Sequence, residues 1–125
     1  MAINDAVLDA VWQVVSAQLE LPEAEKTRAM LREMLEALAL FSRKQHDYSS
    51  VNILTCGEDG LFTRVTDKWA RLWSYYRLGR QLKNESVEDT WRDMAVYSFI
   101  ALLLRSGRWN LSQEELAALG LKEVA

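Results

Sequence analysis

The chain has few of the residues that interrupt helices or build common reactive sites. Of its 125 residues only one is proline and five are glycine, so long stretches can form helices. The single cysteine, Cys56, cannot form an internal disulfide and is typical of a reducing cytoplasm. With one histidine, His46, the usual Cys/His zinc site lacks ligands, and a Ser/His/Asp triad would depend on that residue alone. No glycine-rich loop matches a phosphate cradle, because residues 57–60 (GEDG) read as a helix start.

Strong charge and long apolar runs are also missing. The net charge is −3, which argues against a general nucleic-acid-binding protein. Half of the residues are hydrophobic and 26% are charged, as in ordinary globular domains. The apolar run over 98–104 is far shorter than the roughly 20 residues of a membrane span, and the N-terminus lacks the pattern of a signal peptide. We therefore expect one all-α domain over residues 1–125, cytoplasmic and without a membrane partner.

Apolar periodicity and capping residues predict four long helices and a short fifth. The predicted spans are about 5–20, 23–44, 59–78, 87–106 and 113–119. Asn4, Ser86 and Ser112 are the expected N-caps, and Gly79 and Gly107 the expected stops. The polar segment 46–50 is predicted as a loop, followed at 51–54 by at most a short helical turn and at 57–60 by a second break.

The fourth predicted helix combines an acidic start with an apolar end. Asp89 and Asp93 are four residues apart and share one face, which continues through Tyr97. The second half is apolar on every side, so it must be covered by the domain or by a second subunit. A carboxylate that is covered from water needs a partner that carries a positive charge or donates hydrogen bonds. Asp89 can also be simply the third residue of a capped helix.

The third predicted helix places apolar and charged residues on different sides. We expect Lys68, Asp67 and Arg71 on the side opposite the core, together with Arg64. The expected core-facing set is Leu61, Phe62, Val65, Trp69, Leu72, Trp73 and Tyr76. Carboxylates beside basic residues suit a Mg²⁺-assisted reaction on a phosphorylated ligand, with Lys68 and Arg71 neutralising phosphate oxygens. The alternatives are that Asp67 forms surface ion pairs with Arg64 and Arg71, and that the tryptophans stack on bases instead of filling the core.

Three motifs in order carry a family resemblance. They are Lys44 to Tyr48 (KQHDY), Gly60 to Leu72 (GLFTRVTDKWARL) and Glu88 to Tyr97 (EDTWRDMAVY). Residues of about 44–106 resemble the phage and bacterial nucleotide modification associated domain family, which is similar to the all-α MazG-like nucleotide pyrophosphohydrolases. The resemblance implies a four- to five-helix MazG-like bundle, and we expect it to dimerise through the apolar fourth helix. It also implies a protein of bacterial or phage DNA metabolism.

The implied activity is hydrolysis of a deoxynucleoside triphosphate to a monophosphate and pyrophosphate, with Mg²⁺ or Mn²⁺. Asp67, Asp89 and Asp93 are the implied catalytic residues, and Glu58 joins them as a metal ligand. The expected substrate contacts are Asp47, Tyr48, Asn52, Lys68, Arg71 and Tyr97. MazG-like enzymes hold the metal with an ExxE and an ExxD, and this chain has an ExxE at Glu33 and Glu36 but no ExxD, since Thr90 stands in the place of its glutamate.

Other functions fit the same residues. The chain could be a non-catalytic nucleotide-binding or protein-interaction adaptor associated with DNA modification, or a small phage-encoded regulator of a host protein. An exposed aromatic patch would favour the adaptor. A stability change that depends on metal would favour the enzyme.

Overall fold

The computed structural model describes residues 2–48 and 50–120, with Tyr48 described by its backbone alone. Five α-helices follow one another, and no described residue is in a strand: α1 (Asp5–Gln18), α2 (Glu25–Tyr48), α3 (Val51–Leu78), α4 (Val87–Arg105) and α5 (Gln113–Ala118). The predicted all-α class is therefore confirmed. None of the described helices has the length and apolar character needed to cross a bilayer.

The predicted caps form at the helix starts. The Asn4 side chain accepts a hydrogen bond from the Val7 backbone N–H at 2.9 Å, and Ser86 Oγ accepts one from the Asp89 N–H at 3.0 Å. At α5, Ser112 and Glu115 each accept a hydrogen bond from the other's backbone N–H, which completes a capping box. Gly79 adopts the left-handed conformation (φ 65°) that ends α3.

Helix α2 runs past its predicted end. It continues through His46 and Asp47 to Tyr48, so the predicted loop at 46–50 is wrong over its first three residues. The segment is polar, but its first three residues include no glycine or proline, and they continue a turn of good helix formers, Arg43, Lys44 and Gln45. His46 in the last turn also lies where a positive charge is favoured. Polarity alone therefore did not end the helix.

Helix α3 begins earlier than predicted and is broken at Gly57. The short helical turn expected at 51–54 is a helical segment, and it meets the longer part of α3 at Gly57, whose φ of 64° and ψ of −160° are not helical. Gly60 is helical, but a Cβ there would lie 2.2 Å from Cys56 Cβ. Gly57 is therefore needed for its backbone conformation, and Gly60 is needed because a side chain would clash with Cys56.

The chain divides into two compact units, residues 1–44 and 45–125. In the first unit, Leu8 and Trp12 of α1 are buried, and Trp12 Nε1 donates a hydrogen bond to Glu23 at 2.8 Å. Arg28 pairs with Asp9, and the Arg32 guanidinium pairs with Asp5. These contacts hold α1 against the start of α2.

In the second unit, α3 and α4 pack against each other in antiparallel directions. Glu58 near the start of α3 pairs with Arg105 at the end of α4 at 2.8 Å, while Tyr76 near the end of α3 contacts Trp91 near the start of α4. The buried apolar residues of this unit are Ile53, Leu61, Leu72, Ile100 and Trp109. Trp109 Nε1 donates a hydrogen bond to the Ser50 carbonyl at 3.1 Å, which ties the segment between α4 and α5 to the start of α3.

The apolar half of α4 is covered on one side. Ile100 is buried, whereas Phe99 and Leu102 are exposed. The sequence predicts that the domain or a second subunit covers this segment, and the residues that the structure describes cover only part of it.

Candidate functional site

A buried lysine joins α3, α4 and the connection between them. Lys68 Nζ donates hydrogen bonds to Glu85 Oε1 at 2.6 Å and to Asp93 Oδ2 at 2.8 Å. Lys68 is buried and shares a helix face with Leu61 and Leu72, so the prediction that it lies opposite the core is wrong. A lysine is tolerated there because two carboxylates neutralise it.

The Glu85 carboxylate accepts hydrogen bonds from several side chains at once. Its Oε2 accepts hydrogen bonds from Arg71 Nη1 at 2.9 Å and from Thr90 Oγ1 at 2.6 Å, in addition to the contact of Oε1 with Lys68. Thr90 has no exposed surface, and its hydroxyl also lies 2.9 Å from the Ser86 carbonyl. We call Lys68, Arg71, Glu85, Thr90 and Asp93 the Lys68 cluster. Its two positive and two negative charges balance.

The pKa values of Glu85 and Lys68 favour the charged forms of both side chains. Burial alone would raise the pKa of Glu85, but hydrogen bonds from Lys68, Thr90 and Arg71 outweigh it and lower the pKa to about 2 from an ordinary 4.5. Burial alone would lower the pKa of Lys68, yet hydrogen bonds to Asp93 and Glu85 raise it. Glu85 and Lys68 therefore both carry their charges at neutral pH.

The predicted metal ligands have different neighbours. Asp93 contacts Lys68, Asp89 accepts from Arg92 Nη1 at 2.8 Å, and Glu58 pairs with Arg105. Asp67 is exposed on α3 and has no ion pair among the residues that the structure describes, since Arg71 pairs with Glu85. Within residues 2–48 and 50–120, no three His, Cys, Asp or Glu side chains are grouped so that they could hold a metal ion. The magnesium site stays a prediction.

The predicted substrate-binding residues are only partly brought together. Lys68 and Arg71 meet in the cluster, whereas Asp47 is exposed in the last turn of α2 and contacts His46. Asn52 Oδ1 accepts from the neighbouring Ile53 N–H, and Tyr97 is half-buried on α4. The side chain of Tyr48 lies outside the described part of the chain.

Glu85 was missed by the sequence prediction, because it lies between the predicted helices 59–78 and 87–106. The position of Lys68 on α3 was the signal in the sequence that an acidic partner such as Glu85 is needed. Its spacing of seven and four residues from Leu61 and Leu72 puts it on their face of α3, so the sequence demanded an anionic partner for it.

A second feature lies on the outer side of the same helix. Phe62 is 71% exposed, Trp69 57%, Trp73 44% and Tyr76 52%. These four rings occupy an arc of about 60° on α3, roughly 90° round the helix from Leu61 and Leu72. Their predicted place in the core is therefore wrong for the single chain, because the core covers only one edge of a wide apolar arc.

Two contacts join exposed rings in pairs, and one of these pairs links α3 to α4. The ring centroids of Trp69 and Trp73 are 6.5 Å apart, and Trp91 Nε1 donates a hydrogen bond to Tyr76 Oη at 3.2 Å. Trp91 is also exposed. We call Phe62, Trp69, Trp73, Tyr76 and Trp91 the aromatic face.

Comparison of this chain with protein-family models, with curated proteins and with solved structures finds no match in any of the three.

Proposed function

We propose that this chain is a non-catalytic protein-interaction module that binds another protein surface through its aromatic face. The exposed aromatic face is the observation that carries the proposal. Contiguous exposed apolar surface on a folded domain marks interaction sites, and tryptophan and tyrosine are the side chains that most often dominate binding energy there. An adaptor associated with DNA modification, one of the functions that the sequence left open, fits this use.

The charged residues support the same function. Asp93, Asp89 and Glu58 each contact a lysine or arginine of the chain. The Asp93 carboxylate contributes to the packing of α4 against α3 through Lys68, so a metal would have to compete with a buried ion pair. These carboxylates are therefore already paired with cations of the chain.

The second candidate is a nucleotide pyrophosphohydrolase of the MazG-like class, acting on deoxynucleoside triphosphates as a homodimer. One observation favours it beyond the order of the three motifs: the Asp67 carboxylate is exposed and without an ion pair in the described chain, one turn from Arg71. In that mechanism Asp67, with Asp89, Asp93 and Glu58, would hold Mg²⁺ or Mn²⁺. Lys68 and Arg71 would offset the charge of the phosphates.

Thermal unfolding with nucleotides and metals separates the two functions. The melting temperature is measured with each of the common deoxynucleoside triphosphates, with and without Mg²⁺ or Mn²⁺, and pyrophosphate release is followed in the same mixtures. We expect no shift and no release, because a ligand raises the melting temperature only when it binds the folded state. A shift that needs both metal and nucleotide would contradict the interaction module. Loss of that shift in Asp67→Asn, but not in the control Glu88→Gln, would establish the hydrolase site.

A further inference from the structure

We propose that the protein bound by the aromatic face is a second copy of this chain, with α3 packed antiparallel against α3 of its partner. The inference rests on the proposed function and specifies its partner. The sequence predicted a dimer through the apolar fourth helix, whereas this pairing places the contact on the outer side of α3.

The spacing of the exposed residues fits a helix as the partner. Phe62, Thr66, Trp69, Trp73 and Tyr76 follow one another in steps of four, three, four and three residues, and all five are exposed. This alternation keeps side chains on a single line along a helix and is the pattern of paired helices that pack side by side. We call this line the α3 seam.

Charges at the two ends of the α3 seam favour an antiparallel pair. One further step toward the N-terminus reaches Asp59, and Arg80 follows directly after the left-handed Gly79 that ends α3. Both are exposed, and neither has an ion pair among the described residues. An antiparallel pair centred between Trp69 and Ala70 brings each Asp59 near the partner's Arg80, whereas a parallel pair would bring like charges together.

Side-chain size agrees with the same centre at one position of the seam. In this pairing Trp73 lies opposite the partner's Thr66, and Thr66 is exposed and small enough to leave room for the ring. Large side chains against small ones allow two helices to interdigitate closely.

The surface is self-complementary, so one patch supplies both halves of the interface. Such a patch closes with two-fold symmetry and gives a dimer, not a chain of molecules. Four rings per copy, each about half exposed, supply roughly 800 Å² of apolar area in the pair. With the neighbouring residues this places the contact near the lower end of stable interfaces, so we expect a reversible dimer.

Sedimentation velocity over a concentration series tests the pairing. We expect the wild-type protein to move from monomer to twice the monomer mass as concentration rises. Trp69→Ser should remain monomeric at the same concentrations, because it removes the central ring. Val14→Ser is the control: it replaces an exposed apolar residue of α1, outside the aromatic face, and should dimerise as the wild type does.

A charge exchange tests the antiparallel direction. Asp59→Lys and Arg80→Glu alone should each weaken the dimer about tenfold, since each places like charges together at both ends of the two-fold pair. The double variant Asp59→Lys/Arg80→Glu should recover most of the wild-type affinity. A wild-type protein that stays monomeric, or a dimer unaffected by Trp69→Ser, would overturn the inference, as would a double variant no better than the singles.

The two proposals fail in different ways. If the protein is monomeric and the nucleotide experiment is negative, the second-copy pairing is wrong and the interaction module stands. If the dimer behaves as expected but nucleotide and metal together shift the melting temperature, the proposal that the protein is non-catalytic is wrong and the pairing stands.

Discussion

At the scale of single residues, the buried Lys68 fixes how α4 is placed against α3. Its ammonium group reaches one carboxylate in the connection and another on α4, so a change in the relative positions of these elements would leave a buried charge without its partner. Removing one member of such a pair typically costs about 3–5 kcal/mol, even where replacing the whole set by apolar residues costs little. The cluster therefore serves to select one packing of the two helices.

Replacing Glu85 should make stability less sensitive to acid. The pKa of Glu85 is about 2 in the folded chain and ordinarily 4.5, so its stabilisation is present above about pH 4.5 and is lost as the pH falls toward 2. We expect Glu85→Gln to lower the free energy of unfolding by about 3 kcal/mol at pH 7, and the difference from wild type to shrink toward pH 2. Urea unfolding across this pH range measures it.

The matched control for this experiment is Glu58→Gln. Glu58 also pairs with an arginine, but both side chains of that pair are at least half exposed, so the loss should be at most about 1 kcal/mol. An equal loss at pH 7 and near pH 2 for Glu85→Gln would show that the charge of Glu85 does not stabilise the fold.

At the scale of elements, different parts of α3 pack into the interior, present the aromatic face and bend the helix. One side contributes Leu61, Lys68 and Leu72 to the interior, and the outer side presents the aromatic face. Its N-terminal segment turns at Gly57, which accepts a positive φ without the strain that a side chain would bring. Gly60 then lets the two parts of the helix approach each other closely beside Cys56.

Gly60→Ala should destabilise the protein by a clash within α3. The new Cβ would lie 2.2 Å from Cys56 Cβ, and neither atom can rotate away, so the backbone must shift. Overpacking of this kind costs about 1–3 kcal/mol, which urea unfolding can measure. The double variant Cys56→Gly/Gly60→Ala should lose less than the sum of the two single variants, because it removes the opposing Cβ. Strict additivity would contradict the clash.

At the scale of the whole molecule, apolar surface remains uncovered in both compact units. Met30, Met34 and Leu38 of α2 are exposed at four-residue steps in the first unit, as is the aromatic face in the second. Surface of this extent is unusual for a protein that acts alone. In the proposed pairing, association would contribute to the stability of the folded chain, and that stability would depend on protein concentration.

The melting temperature should accordingly rise with protein concentration. For a two-fold pair, a tenfold increase in concentration stabilises each copy by about 0.7 kcal/mol, which raises the melting temperature of a chain of this size by about 2–4 °C. Trp69→Ser should show no such dependence. Scanning calorimetry at two concentrations measures both, and a concentration-independent wild-type melting temperature would count against association.

Local sequence signals predicted the helices better than the faces they bury. The N-caps at Asn4, Ser86 and Ser112 follow from side chains that reach their own backbone, and the Gly79 stop from the conformational freedom of glycine. Such contacts lie within a few residues and can be read from the chain. Polarity alone does not predict the end of α2, because no glycine or proline interrupts the helix at residues 46–48.

The candidate site was harder to predict, because it depends on residues that are distant in sequence. Asp93 was identified as a carboxylate in need of a partner, and Lys68 as a positive charge beside a ligand. Their contact, 25 residues apart, requires the antiparallel packing of α3 and α4. Asp89 and Asp93 share a helix face by spacing, yet each contacts a different cation, since one turn of helix is enough to change the neighbour.

The sequence by itself determined the all-α class, the caps, the break at Gly57 and the width of the apolar arc on α3, because these depend on residues within a turn or two of each other. Tertiary structure decided which edge of that arc is buried. The interior can cover only part of it, and the Lys68 cluster holds α4 against the edge with Leu61 and Leu72. The rings at the other edge are left exposed, which is why the aromatic face, and with it the proposed function, could be recognised only in the folded chain.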